Sequence, residues 1–478
     1  MRLRNKSVAL GTAIWLWVIS ISAAGADLRL IEAVKDQDQQ AVRDLLGQDI
    51  DVNAREGDGA TALHWAVVRN DAGVVDELLR VGADVNAAND YGVTAISLAC
   101  LNRNALMVET LLAAGANPNA VTSMGETVLM TCVGTGSADA VVALLGHGAT
   151  NVNVKEDSYG QTALMRASAQ DDPKIVQLLL ADGADVHARS TSYLLPVSLG
   201  DPLDDTGGGA VMMPHRGFTP LLFAARHGRV ANALLLLDAG ADVNESAPSG
   251  ESALVIASFS DQTEVAALLL DRGADPHDAS AGYTGLHTAV VRGDLELVKA
   301  LCAEGADPNV RLIKGSPQRR EAYWFGLSER WSGATPFWLA AKFAEVDIMR
   351  VLADNDADPL LSSDNGTTAL MAIAGVGYRP GSIGMNRRDQ GIGPDAARLL
   401  VAASEQPTWE GTKLMLELGS DVNAVNDSGD TALHGAAGHA YSTVVELLVG
   451  HGAKLDIKNK RGTTAQDLVC RSSTSDRC

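Results

Sequence analysis

The phrase Gly-Ala-Asp-Val-Asn returns through this chain about every 33 residues. It is plainest at Gly82–Asn86, Gly240–Asn244 and Gly419–Asn423, where Ser420 replaces the alanine; looser copies stand at Gly115–Asn119, Gly183–His187, Gly273–His277, Gly305–Asn309 and Gly452–Asp456. Between them runs a second phrase: Thr61-Ala-Leu-His64, Thr162-Ala-Leu-Met165, Thr219-Pro-Leu-Leu222, Thr284-Gly-Leu-His287 and Thr431-Ala-Leu-His434. A fixed period of this length means a stacked array in which each unit buries its apolar face against its neighbours. Such an array leaves an extended surface free, which suits binding rather than catalysis.

One period predicts two short helices and a hairpin. Between Asp58 and Asp90, Thr61 is placed to cap a first helix. Leu63, Ala66 and Val67 share one of its faces, and Val74, Val75, Leu78 and Leu79 form the stripe of a second helix. Gly82 ends that helix in a left-handed conformation. Asp84-Val85-Asn86 then leads into a hairpin closed by Gly92.

These phrases resemble the Thr-Pro-Leu-His and Gly-Ala-Asp-Val-Asn signatures of ankyrin repeats, and the resemblance runs from about Asp27 to Val469. Alanine mostly replaces the proline after Thr, leaving Pro220 and Pro336. The resemblance implies an all-α ankyrin solenoid of about 11–12 helix-turn-helix repeats linked by β-hairpins. The capping position falls at residues 61, 94, 127, 162, 219, 252 (a serine), 284, 335, 368, 431 and 464. The expected organisation is a signal peptide over 1–26, an N-terminal capping repeat over 27–57, repeats over 58–186, an insertion over 187–216, repeats over 217–310 and a basic, aromatic insertion over 311–331. Repeats over 332–460 follow, interrupted at about 378–409, and a C-terminal cap and tail occupy 461–478. The first repeat places Arg29, Lys35, Asp36, Asp38 and Arg43 on its polar side. Asp356 stands where a helix-ending glycine belongs, so a strained or differently wound corner is expected there.

Arg2, Arg4 and Lys6 precede the uncharged apolar run Val8–Ala23, and Ala24-Gly25-Ala26 supplies small residues for cleavage. The run is short for a membrane span. An exported mature chain, periplasmic or secreted, is therefore expected, with no membrane attachment after cleavage. Lys and Arg number 38 against 59 Asp and Glu, a net charge of −21 that cleavage makes more negative. Such a surface repels nucleic acid phosphates. With five cysteines the chain is not a disulfide framework. Cys100 and Cys132 lie at matching positions of adjacent repeats, whose helix axes are about 8–10 Å apart; they are expected as separate buried thiols, like Cys302 in a predicted inner helix. Cys470 and Cys478 flank a polar tail and are candidates to pair.

Insertions in repeat arrays emerge as loops on one face. The first, with Gly207-Gly208-Gly209, reads as a mobile loop. The second carries Arg311, Lys314, Arg319, Arg320 and Arg330 beside Tyr323, Trp324, Phe325 and Trp331. It either folds back on the acidic array or holds a partner. The third has Arg379, Arg387 and Arg388 among glycines, followed by an extra helix expected at Pro394–Ala403. The resemblance implies a groove lined by hairpin tips and by residues after the inner helix's Ala-Ala pair. Those positions are Tyr91, Tyr159, Phe218, Phe259, Tyr283, Trp331 and Phe343, with Arg216, Arg226, Arg292 and Lys342 beside them. With Arg319, Arg320, Tyr323 and Trp324 they form the candidate protein-binding set, conspicuous in a chain only 4 % aromatic.

Chemistry has no comparable signature. His64, His287 and His434 hold the repeat's capping position, His147 and His451 precede helix-ending glycines, His187 and His277 sit in hairpins, and His227 and His439 fall in helix–helix turns. Only His215 lacks such an address. No metal-ligand spacing, nucleophile elbow or phosphate loop is present. No catalytic residue, metal or cofactor is expected. The sequence points to an exported, non-catalytic scaffold for a protein partner; a secreted effector acting on a host protein, or a brace within an envelope assembly, are the alternatives.

Overall fold

The computed structural model describes residues 27–149, 151–198, 210–315, 331–376 and 394–472. The expected export signal, the stretch holding Arg319, Arg320, Tyr323 and Trp324, and Cys478 lie outside the described residues. So does any pairing of Cys470 with Cys478. The chain divides into two compact units, residues 1–151 and 152–478.

The first unit is built from α1 (Arg29–Lys35), α2 (Gln39–Leu46), α3 (Ala62–Val68), α4 (Ala72–Arg80), α5 (Ala95–Leu101), α6 (Ala105–Ala113), α7 (Val128–Gly134) and α8 (Ala138–Gly146). Odd-numbered helices are the inner members of each pair; α1 packs on α3, α3 on α5 and α5 on α7. Thr61, Thr94 and Thr127 adopt an extended backbone just before α3, α5 and α7, as caps must. In α3 the Nδ1 of His64 accepts from the Thr61 backbone N–H at 3.2 Å and lies 2.9 Å from its hydroxyl. Nε2 is then left to donate to the Val93 carbonyl of the next repeat at 3.0 Å. One side chain thus closes a helix end and ties two repeats together.

A second inter-repeat tie explains the Asp-Val-Asn phrase. Asn53 Nδ2 donates to the Gly82 carbonyl and its Oδ1 accepts from the Asp84 N–H; Asn86 does the same with Gly115 and Asn117. Each asparagine therefore satisfies the orphan groups at a neighbouring helix end.

The second unit begins with α9 (Ala163–Ala169) and α10 (Pro173–Ala181), then a ribbon of β1 (Ser192–Ser198) and β2 (Ala210–Arg216). It continues with α11 (Pro220–His227), α12 (Val230–Asp238), α13 (Ala253–Phe259), α14 (Thr263–Asp271), α15 (Gly285–Arg292) and α16 (Leu295–Ala303). After the second insertion come α17 (Pro336–Lys342), α18 (Val346–Asp354), α19 (Ala369–Ile373) and α20 (Pro394–Glu417). α21 (Ala432–Gly438), α22 (Ser442–Gly450) and α23 (Ala465–Ser472) complete it. Thr219, Thr335 and Thr431 cap α11, α17 and α21 through side-chain oxygens that accept from the third helical N–H. Asp356 does adopt the left-handed conformation, at φ 64°, and its carbonyl accepts from Asn309 Nδ2 where other repeats use a glycine carbonyl.

Five expectations are corrected. Cys100 and Cys132 form a disulfide, with their Cα atoms 4.6 Å apart. The axis spacing of about 8–10 Å is not the spacing of facing Cα atoms. Each lies about 2.3 Å off its axis, which leaves a gap small enough to bridge. Cys302 is buried and free but belongs to α16, the outer helix of its pair. Lys35 does not face outward with the other polar residues of the first repeat; its Nζ meets Glu56 at 2.5 Å and lies 4.7 Å from the centre of the Trp65 ring. The base of the first insertion is not a loop but an antiparallel ribbon pairing Ser192 with Arg216 through Ser198 with Ala210. The extra helix expected at Pro394–Ala403 is the first part of the 24-residue α20, which runs through Pro407 into the repeat's own outer helix.

Candidate protein-binding surface

Four consecutive inner helices of the second unit carry a cation or an aromatic ring in their last turn: Arg226 on α11, Phe259 on α13, Arg292 on α15 and Lys342 on α17. Phe218, in the turn before α11, meets Phe223 edge-to-face at 5.7 Å, and the Arg226 guanidinium lies 5.9 Å from its ring centre. Arg292 reaches back one repeat, placing its guanidinium 5.7 Å from the Phe259 ring and donating from Nε to the Phe259 carbonyl at 2.9 Å. Trp331 and Phe343 meet edge-to-face at 5.7 Å. Beside them Lys342 Nζ lies 5.2 Å from Trp331 and 5.7 Å from Trp338.

The structure thus gathers seven of the expected residues into three cation–aromatic clusters. Phe218, Phe259, Arg226, Arg292, Trp331 and Phe343 are partly exposed, whereas Lys342 is buried between indoles. Each pairing lets a cation keep favourable contact while its stem covers apolar surface. Trp338 stands where other repeats carry histidine, and its Nε1 donates to the Thr367 carbonyl at 2.8 Å. It serves as both inter-repeat tie and wall of the Lys342 site.

Other expected residues fall elsewhere. Tyr283 is 2 % exposed and its hydroxyl donates to Glu251, so it packs within the array rather than meeting a partner. Tyr159 is exposed at its hairpin tip, where its carbonyl accepts from Thr191 N–H. Arg216 ends β2, opposite Ser192. Tyr91 is exposed at a hairpin tip of the first unit.

Around Tyr91 the first unit presents a row that attention to aromatic residues missed. Met124 follows Tyr91 at the next hairpin tip, and Val68 and Leu101 end α3 and α5 at equivalent positions. All four are exposed, Tyr91 and Met124 by 59 % and 60 %. The signal that would have found them is register: Tyr91 to Met124 and Val68 to Leu101 are each one period apart.

His147, His439 and His451 have structural partners, as the capping histidines do. His147 and His451 bond the Ala143 and Leu447 carbonyls through Nδ1, and His439 Nε2 bonds the Gly375 carbonyl. Burial holds His64 and His439 below the usual imidazole range. His287 is fully buried, which lowers its pKa to about 4. Its Nε2 faces the Ala334 and Val310 carbonyls, which favour the charged ring without offsetting burial. Glu245 occupies the position filled by buried alanine at Ala54, Ala87 and Ala188. Its carboxylate accepts from the Thr219 hydroxyl. Burial raises its pKa to about 7, against the Thr219 bond and the charges of Arg189 and His187, with Asp242 adding to the rise.

Among the described residues no group of three or more His, Cys, Asp or Glu is placed to hold a metal, and no helix is long and apolar enough to cross a membrane. A family profile for three-copy ankyrin repeats matches residues 30–122, 98–190 and 221–312, more than half of the chain, and a single-repeat profile matches 428–460. This chain belongs to the ankyrin-repeat family. Ankyrin repeats generally mediate protein–protein interaction. Among similar proteins, the ankyrin repeat and KH domain-containing protein mask-1 of Caenorhabditis elegans is 27 % identical over 52 % of this chain and 10 % of its own length. The nuclear factor NF-kappa-B p105 subunit of Gallus gallus is 31 % identical over 37 % of this chain and 16 % of its own. The mouse ankyrin repeat and SOCS box protein 16 is 28 % identical over 40 % and 41 %. The chain spans less than half the length of each of these ankyrin-repeat relatives.

Proposed function

We propose that the mature chain is an exported, non-catalytic scaffold that holds a protein partner on its repeat surface. The observation that carries this reading is the recurrence of large side chains at equivalent positions. Val68, Leu101, Tyr91 and Met124 recur in the first unit, and the clusters ending α11, α13, α15 and α17 recur in the second. Aromatic and arginine side chains anchor interfaces, because they bring large area at low entropic cost or several donors in one group. The export expectation is supported by the Cys100–Cys132 bond, since such bonds persist in oxidising compartments.

In this reading the second insertion, with Arg319, Arg320 and Trp324, clasps a partner held beside the Trp331 cluster. The test is capture from the exported fraction by the chain from Asp27 to Cys478, beside a version with Arg311–Ser332 replaced by a short linker. A protein recovered by the first and lost with the second supports the clasp. Equal recovery places binding on the repeats and leaves the insertion a structural part. Recovery of nothing by either overturns the scaffold reading for that compartment.

A further inference from the structure

The disulfide joins inner helices α5 and α7 of neighbouring repeats, and both Cys100 and Cys132 are 0 % exposed. The turn after α7 crosses the same joint: Thr135 Oγ1 lies 3.1 Å from the Cys100 carbonyl and 2.9 Å from that of Cys132. Outer helices α6 and α8 pack on α5 and α7 from the other side. Thiol–disulfide exchange needs a thiolate to reach a sulfur through a mixed disulfide. In the closed array there is no room for a second thiol-bearing molecule beside either sulfur.

We propose that this bond forms before the two repeats close on each other and is sealed once they have closed. The chain is thus a substrate for thiol–disulfide exchange only in its open form. In the open chain one cysteine thiolate attacks a donor disulfide, either a dithiol oxidoreductase in its oxidised state or oxidised glutathione. A mixed disulfide forms and one donor thiolate leaves. The second cysteine, as thiolate, attacks the chain's own sulfur in that mixed disulfide, completing Cys100–Cys132 and releasing the other donor thiol. Two protons pass to the medium or the donor, and the donor is reduced by two electrons. Once the second unit has folded, Cys302 is buried and burial pushes its thiol pKa up, which takes it out of the exchange. The inference concerns how the fold is assembled and holds whether or not the partner reading is right.

The test follows the bond in the full mature chain by thiol alkylation and mass analysis after exposure to dithiothreitol, in native buffer and in denaturant. Reduction in native buffer has to wait for opening, so it should be slower than in denaturant by a factor of roughly 10³ or more. A second arm offers oxidised glutathione to chain reduced and refolded beforehand. Oxidation should then lag the same reaction in denaturant by a similar factor, because only the open fraction reacts. Native reduction within about tenfold of the denatured rate overturns the proposal, given the small open fraction expected of a folded domain. So does native oxidation within about tenfold of the rate in denaturant, or recovery of both cysteines as free thiols from protein exported through an oxidising compartment.

Discussion

Glu245 and His287 show how burial in the array shifts a titratable side chain in either direction. An ordinary buried alanine becomes Glu245, whose pKa rises from 4.5 in the open chain to about 7 in the fold. The folded state therefore keeps a proton that the unfolded chain has lost, and this stabilisation is full below pH 4.5 and gone above about pH 7. His287 runs the other way: its pKa falls from 6.5 to about 4, so its contribution is full above pH 6.5 and lost as pH drops through 4. The two trends oppose each other in the same unit, and comparison with a variant separates them. Glu245→Gln should gain on the parent chain by roughly 3 kcal/mol between about pH 4 and about pH 8. Denaturant midpoints of both chains across that range check it. A difference that does not move with pH would show that Glu245 is not buried as described.

The helix pairs were largely legible at the level of elements, and the reasons are local. A threonine three residues ahead of histidine can close only a helix start, and the structure puts Thr61, Thr284 and Thr431 at such starts. Where reading failed, the deciding fact was not local. A one-dimensional spacing cannot tell axis separation from Cα separation, which hid the Cys100–Cys132 bond. Nor could composition show that the sequence flanking the Gly207–Gly209 run pairs as a ribbon. The helix-ending Gly82 and the hairpin Gly92 carry a sharper prediction. Gly82, at φ 92°, has nothing within 4 Å of a built Cβ, whereas at Gly92, φ 75°, a Cβ would stand 2.8 Å from Ser123 N and 2.9 Å from Thr122 Cα. Gly82→Ala should cost about 1–2 kcal/mol from the left-handed backbone alone. Gly92→Ala should cost clearly more, since the backbone of the next hairpin must also move. Equal losses in thermal or denaturant melting of the first unit would contradict this account of how neighbouring hairpins meet.

For the whole molecule, the array could be read from the sequence, and so could most members of the cation–aromatic clusters. Which rings remain available could not, because exposure depends on neighbours one repeat away. Tyr283 looked like an anchor yet packs against Glu251, while Met124 and Leu101 drew no notice and stand exposed. Since Tyr91 and Met124 are more than half exposed, replacing both with Ala should leave the first unit's stability within about 0.5 kcal/mol per site. That makes them clean probes of binding. The most direct test of the central claim is therefore an affinity titration of the captured partner against four chains: the parent, Tyr91→Ala with Met124→Ala, Phe218→Ala with Phe259→Ala, and both pairs combined, each first shown to melt cooperatively. A scaffold that binds through these rows predicts a loss of about 1.4–2.8 kcal/mol, roughly tenfold to a hundredfold in Kd, for at least one pair. Unchanged affinity across all four well-folded chains would contradict it.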